Sequence, residues 1–249
     1  MSFIDVHCHI YEFDDVVSTI NEALSKGVNK IIGVGEDPES NRKLLEIHEM
    51  FSDVVYPSIG FHPWEAANAS RDDINEFKLQ VEKYSDIIVG IGEVGIDKRF
   101  VRSEEKIKRQ IEVFEVAVRL AREYDLPLNI HCMKTEREVL RILIENDIVK
   151  AIFHWYTGSY EVLREIIQHG YYVSVNLSLR YSSRARGVAE RAPLGLILLE
   201  SDSPYYFKGE YATPASVAKV AELLARIKEV DLKTVAHITT RSAQLLFSI

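Results

Sequence analysis

The sequence predicts an α/β fold, a closed TIM-like (β/α)8 barrel that forms a single domain over residues 1–249. Short apolar runs rich in β-branched residues alternate with longer segments of helical periodicity, which indicates a parallel sheet covered by helices. The length of 249 residues suits eight such units. A doubly wound open sheet is the main alternative. It is disfavoured because no G-x-G-x-x-G motif follows the first run.

The individual elements follow from two kinds of periodicity. The predicted strands are short runs in which β-branched residues are frequent, and the predicted helices have apolar residues at intervals of three and four. The longest helix starts at Ser103, followed by Glu104 and Glu105, which suits a helix amino terminus. The predicted strands span residues 3–9, 29–35, 54–62, 87–97, 128–133, 151–157, 171–177 and 196–202, and the predicted helices span residues 15–26, 40–51, 103–124, 136–146, 160–169, 214–229 and 232–247.

The composition is that of a globular protein, with 47% hydrophobic and 27% charged residues. The formal net charge of -8 excludes a general basic coat for nucleic acid but leaves room for a local basic groove. Cys8 and Cys132 cannot build a disulfide scaffold, which fits a reducing compartment. The start of the chain shows no signal peptide, and no run of 18 apolar residues occurs. We therefore expect a cytoplasmic location and no contact with a membrane.

Histidines gather at the ends of the predicted strands. Five of the eight histidines lie there, although these ends are a small fraction of the chain. The carboxyl ends of barrel strands are where active sites are built, so the five side chains predict a site at the mouth of the barrel. They are His7, His9, His62, His131 and His154.

Two motifs indicate metal binding. His7 and His9 are one residue apart, so both imidazoles project from one face of a strand and form half of a transition-metal site. Glu93 lies in an apolar, glycine-rich run, where a buried carboxylate needs a cation or hydrogen-bond donors. Ordinary polar contacts are the alternative for each motif. His131 and His154 each end an apolar strand, and four imidazoles in one mouth favour a metal site over separate hydrogen-bonded histidines.

The eighth predicted strand ends in acidic residues. Asp202 lies at the mouth, where a carboxylate can bind a metal and accept a proton from water. Glu200 is on the same face but two residues deeper, and it is the second candidate. The alternative for Asp202 is a helix N-cap, although no helical pattern begins before Pro214.

Six short motifs occur in a characteristic order over nearly the whole chain. They are residues 4–9 (IDVHCH), 60–63 (GFHP), 92–97 (GEVGID), 130–132 (IHC), 153–154 (FH) with Gly158, and 200–205 (ESDSPY). Together they identify a chain that resembles the TatD-like metal-dependent hydrolases of the amidohydrolase superfamily.

The resemblance implies a distorted barrel with one or two divalent metal ions at its mouth. It implies that Glu93 bridges the two ions and that His62 lies on the substrate side, near the scissile phosphate. Family members are assigned as DNases, often with 3′-to-5′ exonuclease activity. The implied ligands are His7, His9, Glu93 and Asp202 for one ion, and Glu93, His131 and His154 for the other.

The chain departs from the family pattern in three places. After Ser-Pro-Tyr the family usually has an Arg-Gly-Lys-x-Asn-Glu-Pro stretch, whereas residues 206–214 read YFKGEYATP. Because this arginine is missing, the sequence supports metal-dependent hydrolysis more strongly than it supports DNA as the substrate. Thr240 replaces a usual asparagine, and residues 155–157 are more aromatic than the common version. Six aromatic residues follow strand ends. They are expected either to stack on nucleic-acid bases or to pack within loops. The six are Trp64, Trp155, Tyr156, Tyr205, Tyr206 and Phe207.

The preferred interpretation is a metal-dependent phosphodiesterase that acts on DNA as a 3′-to-5′ exonuclease. Asp202 and Glu93 are the predicted catalytic residues, with Asp202 accepting the proton of the attacking water. His62 and Lys98 are predicted to offset charge on the phosphate. Four imidazoles favour Zn²⁺ or Mn²⁺, while Mg²⁺ fits a weakly held site. The residues expected to make the mouth positive are Lys98, Lys134, Arg137 and Lys208.

Two other functions stay open. An amidohydrolase or lactonase would use the same metals on a small molecule, and the net acidity favours it. A barrel that binds metal or a partner without catalysis is the second alternative, which the full set of six ligands opposes. The expected substrate is DNA or a small phosphoester, with no obligate protein partner. Four arginines follow the seventh strand, and they either contact phosphates or lie on a charged helix face. The helix face is the preferred interpretation. The four are Arg180, Arg184, Arg186 and Arg191.

Overall fold

Eight parallel strands form one sheet whose spatial order is the order of the chain. The structure is a computed structural model that describes residues 1–249. Each strand pairs with the next in parallel register, which is the arrangement that alternating strands and helices produce. The strands are β1 (Phe3–Cys8), β2 (Val28–Val34), β3 (Val55–Ile59), β4 (Gly90–Asp97), β5 (Leu128–Met133), β6 (Ala151–Phe153), β7 (Tyr172–Val175) and β8 (Ile197–Leu199).

The sheet closes between β1 and the segment that follows β8. The backbone N–H of His9 donates to the carbonyl oxygen of Ser203 at 2.7 Å, and that of Asp202 donates to the carbonyl oxygen of His7 at 3.0 Å. Deeper in the barrel, the carboxylate of Asp5 accepts hydrogen bonds from the backbone N–H of Ser201 at 2.9 Å and from its hydroxyl at 2.5 Å. The predicted (β/α)8 barrel is therefore confirmed. Its closure brings the His7 segment beside the Asp202 segment.

Ten helices cover the barrel, and most of them begin at a side-chain N-cap. The predicted helix start at Ser103 is confirmed, because its hydroxyl accepts the backbone N–H of Lys106 at 3.5 Å. None of the helices has the length and hydropathy that crossing a membrane requires. The helices are α1 (Val16–Ser25), α2 (Pro38–Met50), α3 (Pro63–Ala66), α4 (Arg71–Tyr84), α5 (Glu104–Glu123), α6 (Glu136–Glu145), α7 (Tyr160–Gln168), α8 (Ser183–Arg191), α9 (Val217–Lys228) and α10 (Leu232–Phe247).

Buried apolar side chains form two clusters. The larger one joins the strands to the helices that cover them. The smaller one includes residues of β2 and β6, which lie on opposite sides of the barrel, so this cluster fills the barrel interior. The polar residues at the carboxyl ends of the strands are therefore left facing the mouth. The interior cluster includes Ile4, Val6, Ile32, Val34, Ile152 and Leu198 of the strands and Leu246 and Phe247 of α10.

Some predicted boundaries were wrong, and some elements were not predicted. The strands predicted over residues 151–157 and 196–202 are three residues long in the structure, since the chain turns into the left-handed region at Trp155 (φ 39°) and Asp202 (φ 50°). The predictions also lacked α3 and α4, while α8 corresponds to the charged helix face expected for Arg184, Arg186 and Arg191. A hairpin of β9 (Tyr205–Phe207) and β10 (Glu210–Ala212) occupies the segment that departs from the family pattern.

Candidate metal centre

The carboxylate of Glu93 lies at the centre of a buried polar cluster at the mouth of the barrel. Its side chain comes from β4 and is 4% exposed. Its Oε2 atom lies 3.2 Å from His7 Nε2 and 3.6 Å from His9 Nε2. Its Oε1 atom lies 2.7 Å from His131 Nδ1 and 3.3 Å from His154 Nε2. The four histidines therefore divide into two pairs, one facing each carboxylate oxygen.

Asp202 joins the cluster from the segment after β8. Its Oδ1 atom lies 3.7 Å from His7 Nε2 and 4.0 Å from His9 Nε2, so it faces the same pair of histidines as Glu93 Oε2. Burial raises the pKa of Asp202 to about 7, against the opposing effect of His154. A nearby cation would favour the charged form of this carboxyl group.

The close approach of β4 to β5 depends on two glycines of β4. Gly92 and Gly95 have φ angles of 136° and 151°, a region that residues with side chains disfavour. A Cβ atom at Gly92 would collide with the carbonyl oxygen of Asn129, and one at Gly95 would collide with that of His131. The two glycines therefore allow β5 to bring His131 against Glu93.

In each clustered histidine the ring nitrogen nearer to Glu93 is the inner one and the other is the outer one. The outer nitrogens of His7 and His9 face hydrogen-bond acceptors. His7 Nδ1 lies 3.1 Å from the amide oxygen of Asn129, and His9 Nδ1 lies 3.1 Å from the carbonyl oxygen of Val34. The side-chain nitrogen of Asn129 donates to the carbonyl oxygen of Val6, which fixes the amide oxygen toward His7. An acceptor at the outer nitrogen keeps the proton there, so the inner nitrogen of a neutral imidazole presents a lone pair to the cluster.

The other two histidines face carboxylates at their outer nitrogens. His131 Nε2 lies 3.2 Å from Asp97 Oδ2. His154 Nδ1 makes no hydrogen bond and lies 3.4 Å from Glu200 Oε2. Metal-binding histidines in proteins have this second layer of acceptors, which orients the ring and fixes its tautomer. The four imidazoles and the two carboxylates of Glu93 and Asp202 therefore fit a divalent transition metal.

The buried carboxylates of the cluster are stabilised by positive charge nearby. Burial raises the pKa of Glu93, but the surrounding histidines outweigh burial and hold this pKa well below its usual value. Burial lowers the pKa of His154, but the carboxylates of Glu200 and Glu93 raise it well above its usual value. Burial and the neighbouring His154 lower the pKa of His7 to about 4, so His7 is neutral. Protons or a metal ion can supply the charge that the carboxylates attract.

His62 is in the cluster but differs from the other four histidines. Its Nε2 atom lies 3.4 Å from Glu93 Oε1. Its Nδ1 atom accepts a hydrogen bond from the backbone N–H of Trp64 at 3.2 Å, so a neutral His62 carries its proton on Nε2. A protonated nitrogen is a donor and not a metal ligand. This hydrogen bond therefore favours the substrate-side role implied by the sequence.

Asp97 and Asn129 are site residues that the sequence analysis missed. Asp97 accepts hydrogen bonds from the indole N–H of Trp64 at 2.8 Å and from the backbone N–H groups of Arg99 and Phe100. Burial raises the pKa of Asp97, but the hydrogen bonds from His131 and the backbone hold it at about 2. Both residues lie on the strands that carry Glu93 and His131. Their position on those strands is the signal that could have identified them.

Lys98 does not contact the cluster. Its ammonium group pairs with the carboxylate of Glu138 on α6. Arg137, also expected to make the mouth positive, pairs with Glu161 and Glu165. Lys134 is exposed, and Lys208 lies over the ring of Tyr181. Of the four residues that were expected to make the mouth positive, Lys98 and Arg137 are therefore neutralised by carboxylates.

A cleft of about 610 Å³ opens beside the cluster. His131 and His154 form its floor, and Trp64 and Trp155 are among its walls. The volume lies within the range of sites for small ligands. The histidines on the Oε1 side of Glu93 are therefore reached from this cleft.

The chain was compared with known proteins. The family model described as TatD related DNase matches residues 4–248. The chain belongs to the TatD-related DNase family. An uncharacterized metal-dependent hydrolase of Bacillus subtilis, YabD, is 32% identical over 98% of both chains, and the human deoxyribonuclease TATDN3 is 27% identical over 99% of this chain and 95% of its own. The crystal structure of the TatD homolog YJJV from Escherichia coli is 26% identical and superposes with a TM-score of 0.90 over 99% of this chain and 98% of its own.

We expect Gly95→Ala to destabilise this TatD-family protein by about 2 kcal/mol or more, because a side chain there is strained and displaces β5. The measurement is the free energy of unfolding from urea denaturation. Gly195→Ala is the matched control. A Cβ atom at Gly195 meets nothing within 4 Å, and we expect a change of less than about 1 kcal/mol. Equal stability of the two variants would contradict the proposed role of Gly95.

Proposed function

We propose that this protein is a divalent-metal-dependent phosphodiesterase that cleaves DNA from its 3′ end. The observation that carries the proposal is the position of Glu93, whose two oxygens each face a pair of histidines, and three of these four have a hydrogen-bond partner at the outer nitrogen. The name of the human relative, deoxyribonuclease TATDN3, supports DNA as the substrate. The cytoplasmic location stays a prediction from the sequence.

The proposed metal ligands divide along the two oxygens of Glu93. His7 and His9 lie on the side of Oε2, together with Asp202. His131 and His154 lie on the side of Oε1. Glu93 with His7, His9 and Asp202 would hold one ion, and Glu93 with His131 and His154 would hold the other. Imidazole nitrogens favour Zn²⁺ or Mn²⁺ over Mg²⁺, which prefers oxygen ligands.

The residues of this chain have separate parts in the proposed reaction. Bound divalent ions would lower the pKa of a water and offset the negative charge that develops on the phosphate. Asp202 accepts the proton of the attacking water, because its carboxylate lies at the mouth beside the pair of His7 and His9. The Nε2–H group of His62 would donate a hydrogen bond to a phosphate oxygen, and the proton stays on the ring. The walls of the cleft orient the substrate and exclude water from its far side.

The activity is tested with protein stripped by a chelator and reloaded with Zn²⁺, Mn²⁺ or Mg²⁺. The substrates are single-stranded and duplex oligonucleotides, bis(p-nitrophenyl) phosphate, and a panel of lactones and amides. We expect metal-dependent cleavage of DNA, with single strands preferred. Turnover of a lactone or amide without cleavage of DNA would identify the small-molecule hydrolase instead. Metal binding without turnover of any substrate would indicate a barrel that is not an enzyme.

We expect Asp202→Asn to lower kcat by about 10²- to 10⁴-fold, because an amide cannot accept the proton of the attacking water. Circular dichroism and metal titration should show that the fold and much of the metal binding are retained. The control is Asp86→Asn, an exposed aspartate in the turn between α4 and β4. Full metal-dependent activity of Asp202→Asn would remove Asp202 from this role.

We expect Asp97→Asn to weaken metal binding by about 10- to 100-fold, as is usual when the acceptor behind a histidine ligand is changed. The reason is that Asp97 holds both His131 and Trp64 in place. Competition with a metal-sensitive dye measures the affinity, and quenching of tryptophan fluorescence reports release of Trp64. Wild-type affinity together with altered fluorescence would show that Asp97 positions only Trp64.

A further inference from the structure

The charges of the loops at the mouth divide the barrel into two arcs. The loops after β1, β2 and β3, residues 9–15, 35–37 and 60–70, contain six acidic residues and no lysine or arginine. The loops after β4 to β7, residues 98–103, 134–135, 154–159 and 176–182, contain five lysines and arginines and no acidic residue. Because the strands follow one another around the barrel in chain order, the acidic loops and the basic loops occupy opposite sides of the mouth.

The basic arc carries arginines that are free to meet an anion. Arg99 and Arg184, the latter at the start of α8, both line the cleft beside His131 and His154. Arg99 lies 5.2 Å over the ring of Phe100, and Arg184 lies 4.8 Å over the ring of Tyr160. Both are exposed, and neither is held by a carboxylate. Guanidinium groups in this position can bind the phosphates of a chain that extends from the cluster.

The cleft also has aromatic walls on two sides. Trp64 and Phe100 are 5.4 Å apart, and Trp155 and Tyr205 are 5.3 Å apart, measured between ring centroids. Trp64 is 44% exposed, Phe100 is 60% exposed and Tyr205 is 46% exposed, so part of each ring is accessible to a ligand. Aromatic rings beside cationic side chains are the usual platform for the bases of a single strand.

The acidic arc reaches the cluster at His9. The hydroxyl of Tyr11 donates to Glu36 Oε2 at 2.5 Å, and the same oxygen lies 3.9 Å from His9 Nδ1. Glu36 and Glu65 line a hollow of about 210 Å³ on this side. Phosphates approaching over this arc would meet like charges, whereas phosphates over the other arc meet arginines.

We propose that a single strand of nucleic acid lies on the side of the basic arc, with its phosphates at Arg99 and Arg184 and a base against Trp155 of this arc and Tyr205 of the neighbouring hairpin. The acidic arc repels phosphates, so the strand cannot continue across it. The substrate therefore extends from the scissile phosphate in one direction only. This proposal rests on the proposed phosphodiesterase function and adds the path of the substrate. Such a path would allow a chain of net charge -8 to bind a polyanion.

The test compares Arg99→Ala/Arg184→Ala with Arg141→Ala/Arg226→Ala. The control pair removes the same charge from exposed positions of α6 and α9. Binding of a fluorescent 12-nucleotide single strand is measured by anisotropy in the Asp202→Asn background, and turnover is measured in the active protein. We expect the first pair to weaken binding by about tenfold or more. The plot of the logarithm of the binding constant against the logarithm of the salt concentration should also become less steep. Its slope should change by about 1.4, which is about 0.7 for each of the two lost phosphate contacts.

Two further measurements separate recognition of a strand from general damage to the site. For the cleft pair, the loss of kcat/KM should be at least fivefold larger with the oligonucleotide than with bis(p-nitrophenyl) phosphate. Tyr205→Ala should weaken strand binding while Tyr205→Phe restores it, because the ring and not the hydroxyl holds the base. Glu65→Gln, in the acidic arc, should strengthen strand binding by about twofold.

The outcomes distinguish this proposal from the function on which it rests. If the wild-type protein cleaves the oligonucleotide and the two arginine pairs behave alike, the path is wrong and the phosphodiesterase function stands. Equal losses with both substrates would also overturn the path, since they would mean that the arginines support the site as a whole. If the wild-type protein cleaves a lactone or amide but no phosphodiester, the proposed function itself is wrong.

Discussion

The burial of Glu93 is the constraint on which the rest of the site depends. A carboxylate that is 4% exposed is costly in a protein interior unless positive charge or donors surround it. Five histidines approach its two oxygens from β1, β3, β5 and β6 and the residues that follow them. No single element can supply this number, so the carboxylate is satisfied only when the barrel is complete. The parallel, sequential order of the strands is therefore a requirement of the site as well as of the fold.

The acceptors behind the histidines convert this cluster into a site with defined chemistry. An imidazole with a free outer nitrogen could present either a proton or a lone pair to Glu93. Asn129, the carbonyl oxygen of Val34 and Asp97 decide this for three rings, and Trp64 decides the opposite for His62. Three rings thus present a lone pair to the cluster and His62 presents a donor, while the outer nitrogen of His154 lies beside Glu200 without a hydrogen bond. The difference between ligand and substrate-side histidine lies in one hydrogen bond at the outer nitrogen.

The sequence predicted the parts of this arrangement that depend on local pattern. Alternating apolar runs and helical segments gave the barrel, and the position of each histidine at a strand end placed it at the mouth. The acceptors were not predictable in the same way, because the pairing of His7 with Asn129 depends on how residues 122 positions apart meet across the barrel. The pairing of Lys98 with Glu138 is a similar case, and it removes a cation that the sequence placed near the substrate.

The sequence pattern also failed to predict where strands end and where the short hairpin of β9 and β10 lies. Trp155 and Asp202 have positive φ angles that end β6 and β8 early, although the surrounding residues are apolar enough for longer strands. The hairpin of β9 and β10 has only three residues in each strand and exposes Tyr206 and Tyr211, so it gives little hydrophobic periodicity. Tyr205 nevertheless belongs to the wall of the cleft. The residues that end these strands and line the cleft are therefore the ones that pattern analysis detects least well.

The most direct measurement of the central claim is the anomalous difference density of crystals grown with Zn²⁺ or Mn²⁺. We expect peaks bonded to Glu93, with the inner nitrogens of His7 and His9 on one side or those of His131 and His154 on the other. For Zn²⁺ the bonds to nitrogen should be about 2.0–2.1 Å long. His62 should lie outside the coordination sphere, with its hydrogen bond from Trp64 intact. Density bonded to His62, or metal bound away from Glu93, would contradict the account.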